Sequence, residues 1–207
     1  GAGHCWNPAV DWISTKGPEL VKKILIDKFN IAFESKSGKG NGLQLTSEAA
    51  HTIKRIIYCA DKTGNVVQNT ILQKIRENPN ITIYTNHTAI DLLTLSHHSC
   101  ISRDIYKKPA CFGVLTLDNK NGKILPMYAK NTILATGGLA EIFLHSTNPE
   151  ESTGDGIAMA WRARVRWFNL QFIQFHPTAL YCGQDRFLVS EAVRGEGGVL
   201  VNNNQEE

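Results

Sequence analysis

Four short stretches hold residue types that can do chemistry together. His176-Pro177-Thr178 sets an imidazole beside a hydroxyl. Ser190-Glu191, followed by Arg194-Gly195-Glu196, sets a hydroxyl and carboxylates beside a guanidinium. Such a set can grip a small dicarboxylate through charge-assisted hydrogen bonds. Ala135-Thr136-Gly137-Gly138 ends an apolar run on two glycines, which let a ligand approach the backbone because no Cβ intervenes. Thr153-Gly154-Asp155-Gly156 places an acid at the expected start of a helix, where it can hold a ribityl hydroxyl or lie near a phosphate. Each stretch has a plainer reading when taken singly. The glycine pair is then an ordinary strand-to-loop turn, Asp155 an N-cap, His176 a satisfied core histidine and the Arg194–Gly198 run a solvated turn.

Periodicity gives the elements that must position these residues. Thr132–Gly138 predicts a buried parallel strand closed by a tight turn, and in open α/β sheets ligands collect beyond such strand ends. Ile157–Ala163 predicts a helix capped by Thr153 or Asp155, with Ala158 and Ala160 allowing close packing. Upstream, Val10, Ile13, Leu20, Ile24 and Leu25 recur at helical spacing across Asn7–Lys28, and Gly17-Pro18 predicts a break into two helices. Ser35–Gly42 reads as a loop. Asn65–Glu77 predicts a helix stopped by Asn78-Pro79-Asn80. Ile81–Thr85 predicts a strand continuing through Ala89–Leu95, and the helix-then-strand order fits a βαβ crossover. Ser96–Pro109 reads as exposed and irregular. Phe112–Leu117 and Lys123–Tyr128 flank Asn119-Lys120-Asn121-Gly122, a hairpin signal.

Taken in order, the motifs ATGG, TNPxxxTGDGIAMAWRA, QFHPT and SEAxRGEGG resemble the succinate dehydrogenase and fumarate reductase flavoprotein family and, within it, the aspartate oxidases. The resemblance runs weakly over Cys5–Phe33 and strongly from Asn131 onward. It implies FAD as cofactor, with Ala135, Thr136, Gly137, Gly138 and Asp155 close to it. It also implies that His176 meets a substrate carboxylate. Ser190, where the family often has Thr, keeps a hydroxyl contact, with Glu191 beside it. A Leu-Thr-x-Glu-x-x-His-x-x-x-Arg pattern of the aspartate oxidases is filled by Leu45, Thr46, Glu48, His51 and Arg55. It implies that Glu48 accepts hydrogen bonds from a substrate ammonium; outside that context Glu48 reads as a surface carboxylate. Ala49 and Ala50 stand where the family often has two glycines, which bears on the backbone path there. The resemblance puts the family's catalytic Arg beyond Glu207. No catalytic residue is therefore expected within the chain, and Arg194 belongs to a different motif.

The implied fold is α/β. Residues 1–168 are expected to form part of an FAD-binding Rossmann-like domain with a β-hairpin insertion, lacking the N-terminal dinucleotide-binding βαβ unit. Residues 169–207 are expected to begin an α+β capping domain. The implied activity of the whole protein is FAD-dependent oxidation of L-aspartate to iminoaspartate by hydride transfer to flavin N5, for NAD biosynthesis through quinolinate. Fumarate or oxygen would accept the electrons, and quinolinate synthase is a candidate partner. The 207 residues alone are expected neither to hold FAD tightly nor to turn over. The alternatives are a succinate dehydrogenase or fumarate reductase flavoprotein subunit, and a non-catalytic module on the same scaffold.

Composition narrows the remaining classes. The 207 residues are 42% hydrophobic and 20% charged, enough for one to one and a half globular domains. A net charge of +3 points to no polyanion, so no nucleic acid is expected. No apolar run approaches the roughly 18 residues of a membrane span. The 5 cysteines are odd in number and lack a C-x-x-C pair, which fits free thiols in a reducing compartment and hence the cytoplasm. His97-His98 has no further ligand at metal spacing, so no metal site is expected. Gly1-Ala2-Gly3 lacks the strand and third glycine of a dinucleotide fingerprint. With neither an initiator Met nor a signal-peptide pattern, the chain reads as an internal fragment.

Overall fold

The computed structural model describes residues 3–36, 42–48, 51–183 and 185–205, with the side chains of Cys182 and Asp185 outside that set. The middle of the expected 35–42 loop and the Ala49-Ala50 departure therefore lie outside the described residues. The chain divides into two compact units, Gly1–Ile83 with Ser190–Glu207, and Tyr84–Val189. No described helix is long and apolar enough to cross a membrane.

The first unit opens with helix α1, Asn7–Leu20. The break expected at Gly17-Pro18 does not occur. Pro18 lies inside the helix, and the chain continues as a π-helical segment, Val21–Lys28. The reason is local: Pro18 lacks the N–H that would close the preceding turn. The helix takes up the defect by widening, with the Val21 N–H shared between the carbonyls of Gly17 and Pro18. Ile31 and Cys59 are buried next. The Cys59 thiol donates to the Ala32 carbonyl at 3.3 Å, and its N–H donates to Thr63 Oγ1 at 2.9 Å. Burial, with the Glu34 carboxylate adding to it, pushes this thiol above its ordinary pKa. Strands β1 (Leu45–Thr46) and β2 (Ile56–Ile57) pair antiparallel, and helix α2 spans Thr63–Arg76, starting two residues before the expected Asn65. Ile81–Thr85 is not a strand. It has the composition of one but no ladder partner, and the strand starts only at His87, after Asn86 turns at a φ of 56°.

The second unit is built on an antiparallel sheet of order β3-β4-β5: His87–Thr94, Cys111–Asp118 and Lys123–Tyr128. The βαβ crossover expected from the helix-then-strand order is thus overturned for this segment, because β3 pairs antiparallel with β4. The hairpin between β4 and β5 forms where its turn residues place it. Asp118 accepts from the Lys120 N–H at 2.9 Å and from the Asn121 amide at 2.7 Å, and Gly122 takes a φ of 69°. Gly113 lies where no other residue fits: a Cβ there would stand 1.9 Å from the Met127 carbonyl oxygen. Pro126 is tolerated because β5 is an edge strand.

The segment expected to be irregular holds one turn of helix, α3 (Leu95–His98), and a 3-10 turn, Ser102–Tyr106. His98 is structural, its Nδ1 accepting the Thr94 N–H at 3.3 Å. Asp104 is buried, receiving Lys107 Nζ at 2.7 Å and the Ser99 hydroxyl at 2.5 Å. The Lys107 ammonium first, then the Ser99 hydroxyl, hold its carboxyl below the usual carboxylate range. The unfolded carboxyl titrates near about 3.9, so it binds its proton first as the pH falls. The contribution is then full at neutral pH and is lost as the pH drops below about 4. We predict that Asp104→Asn lowers stability at neutral pH and flattens the acid limb of the thermal midpoint against pH. Parallel acid limbs for the two proteins would show that Asp104 contributes no pH-dependent stability.

Candidate functional site

Helix α4, Asp155–Arg162, is the element that the 135–138 candidates and Asp155 share. Its buried face is Gly156, Met159 and Ala160, spaced i, i+3 and i+4, and Met159 is 1% exposed. Its far end is tied to the sheet: Arg162 Nε pairs with Asp91 Oδ1 at 3.1 Å, and Nη2 donates to the Ile90 carbonyl at 2.9 Å. Its near end is not capped as expected. Gly154 is the N-cap residue, at a φ of 83°, and no side chain caps the first turn. Asp155 is the first helical residue instead, accepting the Thr153 hydroxyl on Oδ2 at 2.6 Å. A glycine able to turn left-handed brings the chain into the helix without a side-chain cap. The first N–H groups are then left to the positive end of the helix dipole.

The Ala135-Thr136-Gly137-Gly138 segment comes to this same helix end. A Cβ on Gly156 would stand 1.7 Å from Thr136 Oγ1, so Thr136 sits directly on bare backbone. A Cβ on Gly154 would likewise stand 2.9 Å from that of Leu139. The Glu141 N–H donates to the Ser152 carbonyl at 3.1 Å, and Gly137 turns at a φ of 75°. The expected strand is absent, however. Thr132–Gly138 has no ladder pairing, and Ile133 is 91% exposed. A strand needs a neighbour to hydrogen-bond, and no described strand lies beside it. A cleft of about 570 Å³ beside the helix is lined by Leu139, Gly154, Ile157, Trp161 and Trp167, among others.

His176 lines a separate cavity of about 360 Å³. It is half-buried, and its Nδ1 faces the backbone of Thr178, 2.8 Å from the carbonyl oxygen and 3.2 Å from the nitrogen. This orients the ring against the Thr178 backbone. The same cavity takes in Gln174, Asn148, Ser146, His145 and Arg186. The sequence did not single out His145 and Arg186. They lie 41 residues apart, and the one hint was that each falls between two motifs.

Glu48, Ser190 and Glu191 belong to the first unit. Glu48 is exposed, and its backbone N–H donates to His51 Nδ1 at 3.3 Å, which explains the spacing of the acid and the histidine. Ser190 caps the short helix α5, Glu191–Gly195, its Oγ accepting the Ala192 N–H at 3.2 Å. Glu191 pairs with Arg194 at 3.3 Å. Lys54, on the segment that carries Glu48, pairs with Glu196 at 3.6 Å on the surface.

The FAD binding domain family matches residues 1–207. An L-aspartate oxidase of Ralstonia nicotianae is 43% identical over 97% of this chain and 36% of its own length. A chloroplastic L-aspartate oxidase of Oryza sativa is 38% identical over 100% of this chain and 32% of its own. Among solved structures, a quinol-fumarate reductase determined with menaquinol superposes with a TM-score of 0.80 at 25% identity, over 98% of this chain and 32% of that one. The chain thus spans about a third of the length of the curated relatives it matches.

The seat of Thr136 on Gly156 gives a contrast that stability measurements can read. Gly156→Ala must displace Thr136 and should cost about 1–3 kcal/mol, the usual range for overpacking. Gly138→Ala has nothing within 4 Å of its new methyl and should change stability by less than about 0.5 kcal/mol. Equal effects in denaturant titrations would show that the contact is not part of the fold.

Proposed function

Because this chain belongs to the FAD binding domain family of the succinate dehydrogenase and fumarate reductase flavoproteins, we propose that the whole protein is an FAD-dependent L-aspartate oxidase. The observation that carries this reading is the 43% identity to such an oxidase over 97% of the chain. FAD is the family's cofactor, and the cradle around α4 suits it. Left-handed glycines at 137 and 154 bare two turns, the first helical N–H groups are uncapped by any side chain, and Asp155 offers a carboxylate to a hydroxyl. Thr136 through its seat on Gly156 and Ala135, Gly137 and Gly138 through their backbone would hold the cofactor there. When bound, FAD supplies the hydride acceptor at N5.

In this reading the chain's own residues bind and orient a C4 diacid. His176 meets one carboxylate, its ring oriented by the Thr178 backbone. Ser190 keeps a hydroxyl hydrogen to donate, since the helix cap uses only its oxygen as acceptor. Glu191, held by Arg194, lies beside it. Glu48 receives the substrate ammonium, a role that succinate has no group to fill. The fold assigned to residues 1–168 is part of a Rossmann-like FAD domain with the β4–β5 hairpin inserted, and residues 169–207 open a capping domain. The unpaired 132–138 segment, with Ile133 bare, would gain its strand neighbour from the remainder of a protein about three times as long. The product, iminoaspartate, would feed NAD biosynthesis, with fumarate or oxygen taking the electrons and quinolinate synthase as partner. The cytoplasm is the compartment proposed, although the rice relative's name places that protein in the chloroplast.

A succinate or fumarate flavoprotein is the second reading, favoured by the fold match to quinol-fumarate reductase. Glu48→Gln in the complete protein separates the two. It should raise the KM for L-aspartate by at least about tenfold, the loss of one charged hydrogen bond, while fumarate binding changes less than about twofold. Peroxide formation with L-aspartate in oxygenated buffer is the activity to follow. Equal losses for both ligands would reject the ammonium role, and a colourless complete protein would favour a non-catalytic module. Gly138→Ala tests the cofactor contact apart from folding: bound flavin per chain should fall while the thermal midpoint of the apoprotein is unchanged. Full flavin content would place FAD away from Gly138.

A further inference from the structure

The far end of α4 closes on a residue that its backbone does not favour. Ala163 ends the helix. The Arg164 N–H donates to the Trp161 carbonyl at 2.9 Å, and the Val165 N–H donates to the Ala160 carbonyl at 3.0 Å. This pair of bonds needs a left-handed residue just after the cap, a place that glycine usually takes and asparagine sometimes. Arg164 takes it, at a φ of 59°, where a Cβ is strained. A residue held in such a conformation points to a use for its side chain. Charge at the helix end does not supply that use, because Arg162 already stands there, paired with Asp91 and the Ile90 carbonyl. The Arg164 guanidinium makes no ion pair or hydrogen bond among the described residues. It lines a cavity of about 400 Å³ with Trp161, Trp167, Arg162 and His97, all within the second unit.

We propose that this cavity binds a planar aromatic carboxylate, its rings against Trp161 and Trp167 and its charge on Arg164. Two indoles in one small lining offer large flat apolar faces, which suit a flat ligand better than an aliphatic one. Neither indole N–H has a partner among the described residues, so the lining holds unspent donors beside its unspent guanidinium. The guanidinium itself is a permanently charged fork that fits the two oxygens of a carboxylate. The volume lies within the range of small-ligand sites. The fold thus gives up a more relaxed helix end to set a long cation in this cavity. The place is at the other end of α4 from the turns read as the cofactor cradle, and the inference does not rest on that reading.

Binding and stability should therefore move in opposite directions when Arg164 is replaced, and that gives the test. The complete protein is titrated by calorimetry with 2-naphthoate, which should bind with a Kd below about 1 mM. Naphthalene-2-methanol lacks the charge and cyclohexanecarboxylate lacks the flat rings, and each should bind at least about fivefold more weakly. Arg164→Gly should weaken 2-naphthoate by at least about fivefold, while its thermal midpoint stays at or above that of the wild type because glycine relaxes the left-handed turn. Arg164→Lys should bind between the two, since it keeps the charge without the fork. The proposal is overturned by a wild-type Kd above about 1 mM, by a smaller effect of Arg164→Gly on binding, or by either counterpart ligand binding within about fivefold of 2-naphthoate. A lower midpoint for Arg164→Gly would show that Arg164 serves the helix end, and would overturn it as well. The criteria are the same whether or not the complete protein carries flavin, so failure of the flavoenzyme reading leaves this inference to stand or fall by its own titration.

Discussion

The second unit depends on one contact between a threonine and the absence of a side chain. Thr136 occupies the space where a Cβ on Gly156 would stand, 1.7 Å from its hydroxyl oxygen. This draws an otherwise unpaired segment onto the first turn of α4. The constraint then passes outward in both directions. Toward the sheet, Met159 and Ala160 bury the helix face, and Arg162 fastens its last turn to Asp91 and the Ile90 carbonyl. Toward solvent, Gly154 and Gly137 must turn left-handed to bring their chains to the junction, which leaves bare backbone and uncapped helical donors side by side. The physics that joins the two segments is therefore the same physics that makes the place suitable for an oxygen-rich ligand.

What was legible in the sequence was local chemistry. The β4–β5 turn forms where Asn119–Gly122 predicts it, because Asp118 and Asn121 satisfy the turn's own N–H groups and Gly122 supplies the positive φ. Helix α2 follows its apolar spacing. Where the outcome depended on partners distant in sequence, composition misled. Ile81–Thr85 and Thr132–Ala135 have the residues of strands, but strand formation is a property of pairs, and neither finds a neighbour among the described residues. Pro18 carried a strong break signal, yet an exposed helix with no buried residue can widen into a π register without disturbing any packing. Ser96–Pro109 is mostly exposed, as its polarity predicts, but Asp104 within it is buried, its charge met by Ser99 and Lys107. At α4 the expected acidic cap gave way to Gly154, because a glycine can make the entry turn unaided.

The candidate site divides along the same line. The motif residues could be named from their order in the chain, since glycine turns, a helix start and a histidine before proline are all short-range signals. The company they keep was not visible. Arg186 and His145 meet across 41 positions and share a cavity with His176, which no spacing rule announces. In the first unit, Glu48 and His51 are linked by a hydrogen bond that their three-residue spacing permits, and Ser190 spends its oxygen on a helix cap while retaining a hydrogen to donate.

The central claim is that the junction of the 136–139 turn with the start of α4 faces FAD. Hydrogen–deuterium exchange on the complete protein, with and without FAD, tests it most directly. The amides of residues 136–139 and 154–157 should slow together when FAD is added, because one ligand covers both segments and rigidifies their contact. Unchanged exchange at both segments, while bound flavin is present by absorbance, would contradict the account.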